Sequence, residues 1–222
     1  MNTSKLALSR PTLILLYGFP GAGKTYLSRQ LCDDIQAAHV QGDRIRHELF
    51  ENPRYDRQEN QIVDHLLGYM TEEFLAAGIS VVYDVNAMRV AQRRELRDLA
   101  RKHKANVLLI WLQIDAESAY IRASKRDRRK QDDKFSITVD RATFKQMIAH
   151  MQNPTPTEDY AVISGKHTYH TQRSAVLKKL YDSALISGES AGSKLVMPGL
   201  VNLVPTPVAG RVDNSRRNIV IR

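Results

Sequence analysis

Gly18-Phe19-Pro20-Gly21-Ala22-Gly23-Lys24-Thr25 is the stretch on which the fold turns. It matches a phosphate-binding loop in full, with glycine at its first and sixth positions and Lys-Thr at its end. Such a loop needs glycines because its backbone wraps closely around phosphate oxygens, where a Cβ would obstruct. Its amides then point at the anion, and the helix that follows adds a favourable dipole. Lys24 is placed to reach the β and γ phosphates, and the Thr25 hydroxyl to ligate Mg²⁺. The candidate nucleotide-binding residues are therefore Gly18, Pro20, Gly21, Ala22, Gly23, Lys24, Thr25 and Tyr26.

The flanks supply the context that such a loop requires. Thr12–Tyr17 (TLILLY) is almost wholly apolar, as a strand buried on both faces of a parallel sheet must be, and a helical stretch runs from Lys24 to about Ile35. Further out, Ala38–Gln41 is a short second strand and Arg44–Phe50 a helix. In residues 56–77, Val63, Leu67, Met70 and Phe74 recur at helical spacing, and Gly78 ends the run. Strands are predicted at Ile79–Tyr83, Val107–Ile114 and Tyr160–Ser164, and helices at Val90–His103, Ala116–Ser124, Val139–Met151 and Gln172–Leu185. Strands alternate with helices, which predicts an α/β fold, a five-stranded parallel sheet covered by helices on both faces. Ligands of such sheets bind at the carboxyl ends of the strands. The predicted core domain spans residues 1–185. Ser187–Ser193 reads as a linker, and residues 186–222 as a whole as a linker and an irregular C-terminal extension with short strands.

Composition narrows the class. The chain has 222 residues, 42% of them hydrophobic and 26% charged, an ordinary globular balance. Its one cysteine, Cys32, excludes an internal disulfide framework and reads as a small buried hydrophobe. No apolar run approaches the roughly eighteen residues of a membrane span, and Met1–Arg10 lacks the apolar centre of a signal peptide, so a cytoplasmic protein without membrane contact is expected. The net charge of +9 points to an anionic partner. It is concentrated at residues 89–104 (+5), 120–134 (+4) and 183–222 (+3), which leaves the rest at −3. Arg89, Arg93, Arg97 and Arg101 form a helical stripe, either a solvent face or a track for a phosphate backbone.

Three further groups carry candidate chemistry. Asp43 and Arg46, three apart on a predicted helix, can share a face. Asp43 is either a general base for an attacking hydroxyl or the N-cap of that helix, and Arg46 either holds an anionic group or orients Asp43. Asp84, at a strand end, suits the acidic position that meets Mg²⁺ through water, or else caps the strand. Arg122 and Arg126 lie four apart at a helix end and are expected to point the same way, stabilising charge on a transferring phosphoryl group. Residues 122–136 are then a lid, with 127–136 a flap that excludes water. The histidines His47, His65, His150, His167 and His170 show no metal spacing, although Tyr169 or a neighbouring histidine could stack on a base.

Taken together, GFPGAGKT, the DRIR pair Asp43–Arg46, YDVN around Asp84 and Asn86, and the RASKR lid resemble the P-loop kinases related to polynucleotide 5′-hydroxyl kinase, the zeta-toxin kinases and the chloramphenicol- and gluconate-type kinases. The resemblance covers about residues 12–182. It implies ATP with Mg²⁺ and transfer of the γ-phosphate to an alcohol hydroxyl. By matching position it makes Lys24 part of the catalytic set, Asp43 the general base, Arg46 an acceptor-side or transition-state arginine, and Arg122 and Arg126 the lid arginines. The acceptor stays open between a nucleic acid 5′-hydroxyl and a small metabolite or nucleotide sugar. A reading from another class is a non-catalytic ATP-binding protein whose tail is its partner surface.

Overall fold

The computed structural model describes residues 5–187, so the C-terminal extension expected beyond Ser187 lies outside the described residues. Five strands form one sheet: β1 (Thr12–Tyr17), β2 (Ala37–Gln41), β3 (Ser80–Asn86), β4 (Asn106–Gln113) and β5 (Tyr160–Ser164). Their order is β2-β3-β1-β4-β5 and every pairing is parallel. β1 occupies the centre with all six residues buried, as its apolar run requires. The order reverses there: the chain leaves β1 for β2 on one side and later reaches β4 on the other. The crevice beyond the carboxyl end of β1 is therefore the place where this topology binds ligands.

Seven helices are described among residues 5–187: α1 (Lys24–Asp34), α2 (Gly42–Leu49), α3 (Arg57–Ala76), α4 (Val90–Lys102), α5 (Ala116–Ser124), α6 (Arg141–Ala149) and α7 (Tyr169–Asp182). Alternate residues of β1 serve two cores. Ile14 and Leu16 pack with Leu27 and Leu31 of α1 and Val176, Leu177 and Leu180 of α7. Leu13, Leu15 and Tyr17 pack with Val63, Leu67 and Leu75 of α3 and Leu96 and Ala100 of α4. Each fully buried Leu or Ile stabilises the fold by about 1.5–3 kcal/mol relative to its exposed state.

The structure departs from the sequence expectation at two places that matter for the site. β3 runs on to Asn86, so Asp84 lies inside a strand rather than at its end. α7 begins at Tyr169 rather than Gln172, which turns part of the expected loop after β5 into helix. Residues 125–140 carry neither helix nor strand and bridge α5 to α6, where the lid is expected.

Candidate active site

The cradle forms because α1 is the one of the described helices whose N-cap is a left-handed glycine. α3, α5 and α6 begin with Asp56, Asp115 and Asp140, whose carboxylates accept their helices' first amides. α1 begins at Gly23, left-handed at φ 97°, with no side-chain cap and no acidic residue in its first turn. Its leading amides are thus left for an external anion. A Cβ built on Gly23 would meet nothing within 4 Å, so the space above it is open to phosphate oxygens. Gly21 is needed for a different reason. At φ +84°, its Cβ would lie 2.2 Å from the Ala119 carbonyl oxygen of α5. The loop is pressed against the helix that leads into the lid. Gly18, Pro20 and Ala22 are buried in this turn, and the Ala22 amide donates to the Phe19 carbonyl at 3.0 Å. Tyr26 is exposed, its ring edge-on to Tyr169 at 6.3 Å.

Lys24 folds back over the loop, its Nζ donating to the carbonyls of Gly18 (2.9 Å) and Phe19 (3.0 Å). Burial pushes its ammonium down to about 8; Asp84 and Asp43 pull it up, and Arg126 adds to the downward push. The four groups therefore share one electrostatic neighbourhood.

Asp84 reaches that neighbourhood through an irregularity of β3. Leu15 of β1 pairs with Tyr83 but Leu16 pairs with Asn86, so β3 carries two extra residues, Asp84 and Val85, at this point. Bulges re-aim side chains in this way. The Asp84 carboxylate is buried, with Oδ1 3.3 Å from the Thr25 hydroxyl and Oδ2 3.2 Å from Nε2 of His39. Asn86 accepts from the Gly18 amide at 3.3 Å and ties the end of β3 to the loop. Among the described residues no cluster of three or more His, Cys, Asp and Glu side chains gathers to hold a metal ion. Thr25 and Asp84 instead offer two hard oxygen donors beside the phosphate space. That donor set suits Mg²⁺, which keeps waters and takes substrate phosphates as further ligands.

Asp43 lies in the first turn of α2, whose cap is Gln41. It is not the N-cap, and its carboxylate has no hydrogen-bond or ion-pair partner among the described residues. Burial raises its pKa, and Asp84 raises it further, against Arg126, Arg46 and His47. Arg46 is buried and its guanidinium is committed elsewhere. It forms an ion pair with Glu59, donates to Asn60 at 2.7 Å and lies 4.6 Å over the Tyr55 ring. It pins α2 onto α3 and contributes positive field to Asp43.

The two lid arginines diverge, because α5 ends at Ser124 and Arg126 lies past its C-cap. Arg126 bears electrostatically on Lys24 and Asp43 and donates to the Ile137 carbonyl at 2.7 Å. Arg122 is exposed and donates at 2.8 Å to the Gly165 carbonyl, after β5. The expectation that they share a face is corrected on this ground. The segment between α5 and α6 folds over α1 and α2. Asp132 pairs with Arg29 at 2.7 Å, and the Phe135 ring lies tilted against His47 with centroids 5.7 Å apart.

Two other expectations are revised. The arginine stripe of α4 is not one uniform face: Arg89 and Arg101 are exposed, whereas Arg93 and Arg97 turn to Glu158. Arg93 is fully buried, bonded to Glu158 through Nε (2.8 Å) and Nη2 (2.9 Å) and to the carbonyls of Ala87 and Gln152. Arg97 pairs with the same Glu158, and Arg101 with Asp98. Burial pushes the Glu158 carboxyl up, but Arg93, the Thr155 amide and Arg97 outweigh it and hold it at about 2. Tyr169 does not present its ring for stacking on a base. Its hydroxyl donates to Asp34 at 2.5 Å and to the Gln30 carbonyl at 3.0 Å, locking α7 to α1. The residues that sequence reasoning missed are His39, Glu59, Tyr55 and Glu158. Tyr55 is the odd one: it has φ 59°, strained for a non-glycine residue, and a buried hydroxyl without a partner.

A family model described as an AAA domain (AAA_33) matches residues 13–154. Among solved structures, the chain is similar to a sugar kinase from Janibacter sp. HTCC2649 (16% identity, 80% of this chain and 99% of that one, TM-score 0.56). It is also similar to Chaetomium thermophilum Kti12 in complex with ADP-AlF3 (16%, 79% and 100%, TM-score 0.59) and to the Mycobacterium tuberculosis APS kinase in complex with AMPPNP and APS (15%, 78% and 98%, TM-score 0.55). No curated protein matches. At these identities the likeness is one of fold.

Proposed function

Since the chain belongs to the AAA domain family matched over residues 13–154, we propose that it is an ATP-dependent kinase that phosphorylates an alcohol hydroxyl. One observation carries the proposal: Asp43, unpaired among the described residues, follows β2 at the sheet end where Lys24 follows β1 and where Thr25 contacts Asp84 of β3, and its pKa is raised by burial and by Asp84. A cradle and a metal carboxylate suffice for a nucleotide switch. An unpartnered carboxylate facing the same space is what a hydroxyl acceptor requires. The kinases among the structural neighbours, and the nucleotide complexes of Kti12 and APS kinase, agree with this.

In the proposed reaction the acceptor O–H gives its proton to Asp43. Its oxygen forms a bond to the γ-phosphorus as the bond from that phosphorus to the β–γ bridging oxygen breaks, and ADP leaves. The loop amides and Lys24 hold the phosphates. Arg126 faces the charge that develops on the transferring group. Thr25 and Asp84 would hold Mg²⁺, which would neutralise phosphate charge when bound. Arg122, held at Gly165, sits where it can close the nucleotide side rather than the acceptor side.

Asp43→Asn tests the assignment. It is expected to abolish transfer while leaving ATP binding intact. Because burial makes the ionised carboxylate costly to the fold, the substituted protein should melt no lower than the parent at neutral pH. Turnover by the Asn protein would remove Asp43 from the mechanism. Within this function a small hydroxyl compound is favoured as acceptor over a polynucleotide, since Arg93 is fully buried and Arg97 is tied to the same Glu158, so neither is free to track a phosphate backbone.

A further inference from the structure

We propose that His39 is a positioning residue that fixes the aim of the Asp84 carboxylate toward Mg²⁺; this rests on the ATP–Mg²⁺ assignment above. His39 lies on the edge strand β2, where no sequence motif marks it. In the β2–β3 register Gln41 stands opposite Asp84, and His39 opposite Val82, two residues earlier on the same face of the sheet. That diagonal offset suits an imidazole, and Nε2 comes to 3.2 Å from Asp84 Oδ2. Thr25, from α1, comes to 3.3 Å from the other oxygen. The carboxylate is thus held from two sides by two different elements.

Holding is needed because of where Asp84 sits. Its side chain is only 4% exposed, whereas that of His39 is 23% exposed. Water cannot easily replace a lost donor at Oδ2, and a buried carboxylate oxygen without a donor is costly. On its β1 side Asp84 also sits on a bulge, where the ladder is interrupted, so only the pairing with Gln41 of β2 stiffens its backbone. The final torsion of an aspartate is broad, so the direction of its oxygens is set by partners rather than by an intrinsic rotamer well. With His39 gone, Oδ2 would be free to turn onto Lys24, whose ammonium already feels the Asp84 charge. The carboxylate would then be spent on the lysine instead of the metal. Outer partners of metal-holding groups act in this manner, and their loss costs about 10–100-fold in metal affinity.

The test uses the full-length protein and fluorescent N-methylanthraniloyl-ATP, with no acceptor and no turnover. Mg²⁺ is titrated into a fixed concentration of protein and nucleotide, and the half-saturating Mg²⁺ is read for the parent, His39→Phe and His39→Gln. Phe keeps the ring volume but has no donor; Gln returns an N–H near the position of Nε2. The expected result is a rise of about tenfold for Phe. Gln should return toward the parent value, and the affinity for metal-free nucleotide in EDTA should be the same for all three. Superimposable Mg²⁺ curves for parent and Phe would overturn the inference. So would an equal loss of affinity with and without Mg²⁺, which marks a packing defect. If the Phe protein does not fold, nitrogen-15 NMR of the parent decides, since the inference requires the His39 proton on Nε2 and a shift of that signal when Mg²⁺ joins the bound nucleotide. A parent with no Mg²⁺ dependence at all would sink the metal assignment itself, and the role of His39 with it. That outcome is distinct from a Mg²⁺-dependent parent that is indifferent to His39.

Discussion

Lys24 is held at a pKa of about 8 in the free protein, and bound phosphates would return it to full charge. Nucleotide binding above that pH therefore takes up a proton. ATP affinity should be level below pH 8 and fall as the pH rises beyond it, by at most about tenfold per unit. Calorimetry at pH 8.5 in buffers of different ionisation enthalpy should read the proton uptake directly, and at pH 7 it should vanish. Tyr55 gives a second test at this scale. Its hydroxyl is buried without a partner, so Tyr55→Phe should leave the melting temperature unchanged or raise it, because no hydrogen bond is lost. A drop of several degrees would mean that the hydroxyl has a partner in solution.

The pairing of α4 with the segment before β5 is a buried polar joint between elements. Arg93 and Glu158 are 0% and 3% exposed. Removing one charge strands the other, so Glu158→Gln should destabilise the protein by about 3–5 kcal/mol at pH 7. The folded pKa of Glu158 lies below its ordinary value of 4.5, at about 2, so the carboxylate's contribution is whole above pH 4.5 and fades as pH falls toward 2. The gap between parent and variant, measured by urea unfolding, should close over that window. Elements of this kind also show how far a sequence can be read. The apolar runs of β1 and β4 are legible because burial on both faces leaves a continuous local signature, and the glycines of the cradle are legible because backbone shape demands them. Arg93 is not, because at i, i+4 spacing it looks like any solvent-facing arginine. What buries it is a glutamate 65 residues further on. His39 and the bulge at Asp84 are hidden for the same reason, since strand register is a relation between distant segments. Asp43 is legible as a candidate, but its freedom from partners is not.

At the scale of the whole molecule, the net charge of +9 is an excess over all the carboxylates, and several arginines are not free to carry it to a partner. Arg93 is buried against Glu158, which also pairs with Arg97, and Arg46 is buried against Glu59. A polynucleotide acceptor would release counterions in proportion to the phosphates it contacts, and its KM would climb steeply with salt. The expected result is a shallow dependence of acceptor KM on KCl, with hydroxyl-bearing metabolites accepted in preference to 5′-hydroxyl oligonucleotides. Among the described residues no helix is long and apolar enough to cross a membrane. The approach of Gly21 to Ala119 also bears on how the chain reaches this state. The loop and the helix that seats it are separated by almost half the chain, so the motif at residues 18–25 is a shape completed late. A nascent or truncated chain that stops before α5 carries every letter of the signature yet lacks the wall that gives it form. Nucleotide capture is therefore a report that the fold has closed, and a ligand present during synthesis can reward only chains that have already made this long-range contact.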